Sequence, residues 1–313
     1  MTKLPTQVVP ADAAGIAEAA RLIEAGEPVA VPTETVYGLA ADARSGEAVA
    51  RIYQAKGRPS FNPLIVHVLG LKGAEAIGVF SDTARALAER YWPGPLTLVV
   101  PLRADAGLSS LVTAGLPTVA LRASAHPAMR ALIEAAGRPL AAPSANASGR
   151  ISPTRAEHVL ASLGGCIPLI LDGGATSEGL ESTIVAVDET TCRLLRPGPV
   201  PAEELGLKQQ DMGEYSDVVE APGQLASHYA PVKPLRLDAI EARQGEWLIG
   251  YGAVAGQANL SERGDLVEAA SRLFDLLHEA DSQDLPNIAV APIPDVGIGA
   301  AINDRLRRAA AQP

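Results

Sequence analysis

The stretch KGRPSFNPLIVHV, residues 56–68, passes from the end of a predicted helix through a Gly/Pro turn into a predicted strand. Apolar residues at helical spacing indicate that the helix covers about 45–55, and the apolar run 64–68 is typical of a strand. Lys56 and Arg58 therefore emerge at a turn in which glycine and proline keep the two cations apart. This arrangement favours anion binding, although a K-x-R turn on its own is more often a solvated surface pair.

Helices and strands alternate irregularly on both sides of this turn. Further helices are predicted at 11–25, at about 82–90, from Pro127 onward and at 155–163. Further strands are predicted at 28–31, 96–101, 118–122, 139–143, 168–171, 183–187 and 193–195. Together with the strand at 64–68, these ranges predict eight strands before residue 205 and indicate a mixed α/β unit.

A second regular region follows a polar stretch. Residues 206–232 have no clear period and join two regular regions, which is typical of a linker. Beyond them the sequence predicts strands at 235–237, 247–251 and 287–291 and a helix with an apolar stripe over 266–277. The predicted organisation is a first domain at 1–205, an interdomain linker at 206–232 and a small C-terminal α/β domain at 233–313.

The composition weighs against several classes of protein. The 26 Lys and Arg residues stand against 36 Asp and Glu, and the net charge of -10 argues against nucleic-acid binding through bulk positive charge. Cys166 and Cys192 lack the spacing of a zinc site or a disulfide framework. We find neither a signal peptide nor a run near the ~18 apolar residues of a membrane span. We expect a protein of the reducing cytoplasm that has no membrane partner.

Polar side chains recur where predicted strands end, a common position for binding residues. The run PTETVYGL, residues 32–39, places Thr35 directly after a buried strand, although a capped turn would also explain it. His67 lies inside its strand, where a lone histidine is more often a core residue. Further polar residues at strand ends are Arg122, Ser144, Asn146, Ser152, Ser182 and Arg196. Their recurrence favours one shared site for a polar, anionic ligand.

Taken in order, the motifs resemble those of one family. PTETVYGLA, KGRPSFNPLIVHV, WPGPLTLV, LAAPSANASGRISPT, ESTIV and LRPG are similar to the signatures of the threonylcarbamoyl-AMP synthases, whose fold is called YrdC-like. Lys56/Arg58 and Ser144/Asn146 match the K-x-R and S-x-N signatures of that family. SHYAP, GDLVEAASRLF and GIGAAINDRL resemble the linker and C-terminal domain of its long, two-domain form. The linker departs from the family pattern, since PGQLASH replaces a basic and aromatic stretch.

The resemblance implies a fold and a reaction. The fold is α/β, with a YrdC-like twisted mixed-sheet catalytic domain and a smaller Rossmann-like C-terminal domain. The reaction joins L-threonine, bicarbonate and ATP into threonylcarbamoyl-AMP and pyrophosphate. The product serves tRNA modification at position 37, next to the anticodon, and passes to a separate tRNA threonylcarbamoyl transferase complex. Mg²⁺ is expected through the ATP phosphates, with no metal site of the protein itself.

The resemblance also implies roles for individual residues. The catalytic set would be Lys56, Arg58, Ser144 and Asn146. L-threonine would be bound by Thr35, His67, Arg122, Ala142 and Ser182. ATP would be bound by Arg58, Asn62, Thr118, Ser144, Ser152, Arg196, His228 and Tyr229. An arginine at 122 suits the amino-acid carboxylate, because its planar fork can donate two parallel hydrogen bonds.

Two alternatives stay open on sequence grounds. One is a carbamoyl-adenylate-forming carbamoyltransferase of the same fold, but such enzymes normally carry zinc-finger and acylphosphatase-like modules for which this chain has no room. The other is an RNA-binding module, because the product serves tRNA modification and the resemblance implies a concave face that is linked to weak tRNA binding. The acidic net charge and an aromatic content of 4% weigh against RNA binding as the main activity.

Overall fold

The computed structural model describes residues 5–59, 62–189, 191–207, 220–224 and 228–311. Within these ranges the chain forms fourteen strands, in two sheets, and nine helices. The strands are β1 Gln7–Pro10, β2 Val29–Val31, β3 Gly38–Asp42, β4 Ile65–His67, β5 Leu96–Pro101, β6 Thr118–Arg122, β7 Leu140–Ala141, β8 Leu169–Asp172, β9 Thr183–Val187, β10 Cys192–Arg196, β11 Leu235–Arg236, β12 Glu246–Gly250, β13 Ala258–Asn259 and β14 Asn287–Val290. The helices are α1 Ala13–Glu24, α2 Gly46–Lys56, α3 Leu71–Glu75, α4 Asp82–Tyr91, α5 Ser110–Thr113, α6 Pro127–Ala136, α7 Ala156–Leu163, α8 Leu266–Ser282 and α9 Ile298–Ala310. Among the described helices, none combines the length and the apolar character needed to cross a membrane.

The first sheet has the strand order β1-β8-β2-β3-β7-β4-β6-β5-β9-β10 and is mixed. Strand β7 runs antiparallel to both β3 and β4, whereas β4 and β6 are parallel. The parallel register places His67, at the end of β4, opposite Arg122, at the end of β6. Two residues that are 55 positions apart in the chain, 67 and 122, are thereby brought together at one end of the sheet.

Helices cover both faces of this sheet. Val29 and Val31 of β2 belong to an apolar cluster with residues of α1 and α6. Ala30 between them belongs to a larger cluster that includes residues of α2. Successive residues of a strand point to opposite faces, so this alternation identifies β2 as a strand that is buried on both sides.

Helix α2 sets the position of the Lys56 turn. It begins at Ser45, whose side chain accepts a hydrogen bond from the backbone N–H of Ala48. It ends at Gly57, which adopts the left-handed conformation with φ 59°. The cap makes Lys56 the last helical residue and turns the chain toward Arg58, as the sequence predicted.

The second sheet has the order β11-β14-β12-β13, and all of its pairings are parallel. Helix α8 buries Leu273, Phe274 and Leu277 in a cluster that also contains residues of α9 and of the sheet. The same cluster includes Val36 and Leu180, which belong to the first sheet's half of the chain. The two halves therefore share one apolar interface.

The α/β fold expected from the sequence is confirmed, but the expected number of strands is wrong. The first sheet contains ten strands rather than the eight predicted. Strands β1 and β3 are absent from the sequence prediction. The sequence of β3, Gly-Leu-Ala-Ala-Asp, has weak strand propensity, and the strand forms because it pairs with β2 and β7.

The predicted linker, 206–232, is only partly covered by the structure. Residues 208–219 and 225–227, which include Ser227 of the SHYAP motif, lie outside the described residues. Of the remainder, Ala221 and Tyr229 are 0% and 1% exposed. The described parts of the segment thus pack against the fold, and the domain boundaries stay a prediction.

Truncating Phe274 tests the C-terminal packing. The ring is fully buried, and Phe274→Ala should lower the free energy of unfolding by about 3–5 kcal/mol because it removes apolar contacts and leaves a cavity. Val267→Ala on the same helix is the control. Val267 is 64% exposed, so its truncation should change stability by no more than about 0.5 kcal/mol. Denaturant unfolding followed by tryptophan fluorescence measures both, since Trp247 lies in the same cluster as Phe274; equal effects would contradict the packing.

Candidate active site

A cavity lies where the ends of β4 and β6 meet the loops that follow β2 and β7. The space between these elements, open solvent included, is about 520 Å³. Many of the residues predicted from the sequence line it: Thr35, Arg58, His67, Arg122, Ala142, Ser144, Ser182, Arg196, His228 and Tyr229. The fold therefore brings most of the predicted site residues to one place.

Five of the predicted residues are not part of this lining, among the residues that the structure describes: Lys56, Asn62, Thr118, Asn146 and Ser152. Lys56 and Ser152 bond directly to lining residues. Asn62 offers its backbone carbonyl to Arg58 at 3.4 Å. Thr118 lies at the start of β6, whereas Arg122, which lines the cavity, is at the end of that strand.

Three cations at this site are buried. Lys56, Arg58 and Arg196 are 3%, 8% and 4% exposed. In the described part of the chain their hydrogen bonds run to backbone carbonyls and one hydroxyl rather than to carboxylates. The Arg58 guanidinium donates to the Pro63 carbonyl at 3.0 Å. Arg196 donates to the Ser182 carbonyl from Nε at 3.1 Å and from a terminal nitrogen at 2.8 Å. Buried positive charge without a carboxylate favours an anionic ligand.

The protonation of two of these groups reflects their burial. Burial, with a smaller contribution from the charge of Arg58, holds the pKa of Lys56 well below its usual range. Burial also lowers the pKa of Arg58 to about 10. The Lys56 ammonium donates to the Ser144 carbonyl at 2.5 Å and to the Asn146 carbonyl. The S-x-N segment is thus fixed to the K-x-R turn through its backbone.

Arg122 also lines the cavity and has a carboxylate partner. It donates to Glu34 Oε1 at 2.7 Å and to Thr35 Oγ1 at 2.9 Å. The second Glu34 oxygen accepts a hydrogen bond from the Ser124 hydroxyl. Burial acts to raise the pKa of Glu34, but Arg122 and Ser124 outweigh it, and the pKa falls to about 2. Glu34 is therefore ionised and holds Arg122 in place.

Part of the Arg122 guanidinium stays available. A guanidinium has five N–H donors, and three are used on Glu34, Thr35 and the Gly94 carbonyl. The neighbouring His67 is neutral, because burial and the charge of Arg122 lower its pKa to about 3. This side of the cavity can bind a carboxylate through Arg122 and a polar group through His67.

Glu181 is the carboxylate that lines the cavity. One of its oxygens accepts from Ser152, and the other accepts from Arg305 Nε at 2.8 Å. Burial acts to raise the pKa of Glu181, but the charges of Arg305 and Arg196 and the hydrogen bonds from Ser152 and Arg305 together outweigh it, and the pKa is lowered. The next residue, Ser182, bonds to Thr97 at 2.7 Å and to Arg196. The ESTIV loop is therefore held on several sides.

The segment before the second sheet forms one wall of the cavity. Pro222, Gly223, His228 and Tyr229 line it. Gly223 has φ +87°, and a Cβ at this position would lie 2.6 Å from the Tyr229 hydroxyl and 2.9 Å from Arg196 Cδ. Only glycine fits this close approach without displacing its neighbours.

Unpartnered polar atoms concentrate around the cavity. In the part of the chain that the structure describes, the buried side-chain atoms without a hydrogen-bond partner are Asn62 Oδ1, His67 Nδ1, Asn146 Oδ1, Thr176 Oγ1, His228 Nδ1 and the Tyr229 hydroxyl. Buried polar atoms are nearly always hydrogen-bonded in proteins. All but Thr176 belong to predicted site residues, and those on His67, His228 and Tyr229 belong to residues that line the cavity, where a polar ligand would satisfy them.

Comparison with known proteins shows the family to which this chain belongs. A family model described as "Telomere recombination", which covers the Sua5, YciO and YrdC proteins, matches residues 21–198. A second, described as the C-terminal domain of threonylcarbamoyl-AMP synthase, matches residues 176–311. The chain belongs to the threonylcarbamoyl-AMP synthase family. It has the two-domain form of that family, since both models match.

Relatives of this family are similar over nearly the full length. A threonylcarbamoyl-AMP synthase of Bacillus subtilis is 42% identical, over 94% of this chain and 92% of its own. One of Pyrococcus abyssi is 39% identical, over 93% and 92%. The crystal structure of P. abyssi Sua5 complexed with L-threonine superimposes with a TM-score of 0.87 at 36% identity, over 98% of this chain and 97% of that one.

Several residues of this synthase-family site are missed by sequence reasoning. Glu34 stands in the quoted PTETVYGL run, but nothing local indicates that it pairs with Arg122. Ser124 and Glu181 carry no signal beyond their position near strand ends. Arg305 lies in the last helix and has no sequence signal that connects it to the cavity, because its partner Glu181 is 124 positions away.

The Glu34–Arg122 pair predicts a pH-dependent stability. The folded pKa of about 2 lies below the usual 4.5, so the contribution of Glu34 is fully present above about pH 5 and is lost as the pH falls toward 2. The shift corresponds to about 3 kcal/mol. We expect Glu34→Gln to lower the free energy of unfolding by about that amount at neutral pH, and the difference from the native protein should narrow by roughly 2 kcal/mol near pH 3.

Denaturant unfolding of both proteins across this pH range measures the effect. Glu75→Gln is the control, because Glu75 pairs with Arg85 on the surface and should matter by less than about 1 kcal/mol. A difference for Glu34→Gln that does not change between neutral and acid pH would contradict the ionised pair.

Proposed function

We propose that this chain is an L-threonylcarbamoyladenylate synthase. It converts L-threonine, bicarbonate and ATP into threonylcarbamoyl-AMP and pyrophosphate, the first step of the threonylcarbamoyladenosine modification at tRNA position 37. The observation that carries the proposal is that two sets of residues with different charge environments line one cavity. Buried cations without carboxylate partners form one wall, and Arg122 with His67 forms the other. The relatives that share this fold over their full length bear the same name.

L-threonine binds on the Arg122 wall in this proposal. The contacts are Thr35, His67, Arg122, Ala142 and Ser182. The two remaining N–H groups of Arg122 suit the amino-acid carboxylate. Glu34 supports this role, because it holds the guanidinium at 2.7 Å and balances its charge before substrate arrives.

ATP binds on the opposite wall. The contacts are Arg58, Asn62, Thr118, Ser144, Ser152, Arg196, His228 and Tyr229. Support comes from Arg58 and Arg196, whose charges no carboxylate neutralises in the described part of the chain. Thr118 has less support, since it lies at the far end of β6 from Arg122.

Lys56 and Asn146 complete the pocket for bicarbonate and the reacting phosphate. The bonds from Lys56 to the Ser144 and Asn146 carbonyls support this assignment, because they bind the two signatures into one unit. The unpartnered Asn146 Oδ1 can accept a hydrogen bond from a substrate donor.

The chemistry requires two bond-forming steps. The threonine amine attacks the carbon of bicarbonate, and loss of water gives a carbamate, which is short-lived in water and must be used where it forms. A carbamate oxygen then attacks the α-phosphorus of ATP, and pyrophosphate leaves. The carbamate and the triphosphate are both anions, so the buried arginines offset their repulsion.

Magnesium enters as part of the substrate, Mg-ATP. Ions of this kind keep most of their ligands from phosphate and water. Glu181, the carboxylate that lines the cavity, already accepts bonds from Ser152 and Arg305.

The proposal also covers the domain organisation and the fate of the product. We assign the catalytic domain to 1–205, the linker to 206–232 and the C-terminal domain to 233–313, which is supported by the division of strands between the two sheets. The product would pass to a tRNA threonylcarbamoyl transferase complex in the cytoplasm. Weak contact with tRNA is compatible with this route.

A pyrophosphate-release assay tests the proposal. With Mg-ATP, threonine and bicarbonate all present, we expect release together with threonylcarbamoyl-AMP detected by mass spectrometry. Omitting threonine, or bicarbonate in carbon-dioxide-free buffer, should reduce release to background. Release that needs neither would overturn the assignment, and tRNA binding without adenylate synthesis would favour an RNA-binding module.

Replacing Arg122 with Lys tests whether threonine and ATP bind at different parts of the cavity. Lysine keeps the charge but loses the planar fork, so the KM for threonine should rise by at least about tenfold, while the KM for ATP changes much less. Arg103→Lys is the matched control, since Arg103 is 44% exposed and pairs with Asp105 on the surface. Equal increases in both KM values would count against threonine binding at Arg122.

A further inference from the structure

Arg305 is the largest side chain that is completely buried in the described residues. It belongs to α9, the last helix of the C-terminal half, but its Nε donates to Glu181 Oε2 at 2.8 Å. A terminal nitrogen donates to the Pro197 carbonyl at 3.0 Å. Both acceptors belong to loops of the first sheet, and Glu181 lines the cavity. The C-terminal half therefore places a charge directly behind the site.

The contacts of α9 extend to the His228–Tyr229 segment as well. The Arg305 guanidinium lies 5.1 Å from the centre of the Tyr229 ring, within the range of a cation–π contact. One turn later, the Arg308 carbonyl accepts the His228 backbone N–H at 3.2 Å. Asp304 accepts from both Arg305 and Arg308. One helix thus touches Glu181 and the His228–Tyr229 segment together.

The charge of Arg305 has a consequence for Arg196. The positive charge of Arg196 lowers the pKa of Glu181. In the part of the chain that the structure describes, however, the two form no ion pair, and Arg196 donates to the Ser182 carbonyl instead. Glu181 is satisfied by Ser152 and Arg305. Without Arg305, the buried Glu181 carboxylate would lose its ion-pair partner, and Arg196, whose charge already acts on Glu181, is the neighbouring cation that could pair with it. Arg196 would then no longer be available to bind a phosphate.

We propose that Arg305 is a positioning residue for the nucleotide side of the cavity, acting through Glu181 to keep Arg196 available for phosphate. This inference rests on the adenylate-forming function proposed above. A purely structural alternative is that Arg305 only fixes α9 to the first half of the chain. The two differ in what happens when Glu181 loses its charge.

The experiment compares Arg305→Met, Glu181→Gln and the double variant in ATP binding at equilibrium and in KM for ATP and threonine. Arg305→Met should weaken ATP binding by at least about tenfold and raise the KM for threonine by less than about threefold. In the Glu181→Gln background, Arg305→Met should have little further effect on ATP binding, because no carboxylate is left to capture Arg196. Arg307→Met is the control, since Arg307 is exposed on the same helix.

Circular dichroism and thermal unfolding establish that each variant folds. If Arg305→Met alone does not fold, the double variant, which leaves no unpaired charge at this ion pair, still tests the inference against Glu181→Gln. Equal changes in both KM values, or an undiminished effect of Arg305→Met in the Glu181→Gln background, would overturn it. A native protein that releases no pyrophosphate would instead refute the proposed function, so the two failures are distinguishable.

Discussion

Removing a cation from water is costly unless other groups replace the lost hydration, and this cost organises the site. Arg58 and Arg196 are buried against backbone carbonyls, whose partial negative charge compensates them only in part. A carboxylate beside each would be the simplest remedy, but it would also neutralise the site for an anion. The chain instead places its carboxylates where they pair with other arginines: Glu34 with Arg122 and Glu181 with Arg305.

The sheet topology makes this separation possible. Because β4 and β6 are parallel and in register, His67 and Arg122 share one end of the sheet. Strand β7 inserts antiparallel between β3 and β4, so the chain that leaves it carries Ser144 toward the K-x-R turn. Strand pairing thus fixes the positions of His67 and Arg122, whereas Arg58 and Ser144 reach the cavity from loops that join these elements.

The sequence predicts this site well where the determining interactions are local. The end of α2 at Lys56 follows from helical spacing and a following glycine, and the position of His67 in a strand follows from one apolar run. It predicts poorly where the interactions are distant. Glu34 and Arg122 are 88 positions apart, and no periodicity or turn residue connects them. Strand β3 likewise depends on its neighbours rather than on its own propensity.

The resemblance to the family implies which residues contact the substrates, but it does not explain why the C-terminal half packs against the catalytic sheet. Tyr229 offers a physical reason. It has φ 63°, which is uncommon for a residue with a side chain, and such strain persists only where the surroundings impose it. Its ring is packed between His228 and Phe274 of α8, with Arg305 of α9 beyond, so residues of the C-terminal half hold it. One wall of the cavity is therefore shaped by the C-terminal half, and without that half the cavity would lose the contacts that hold this wall in place.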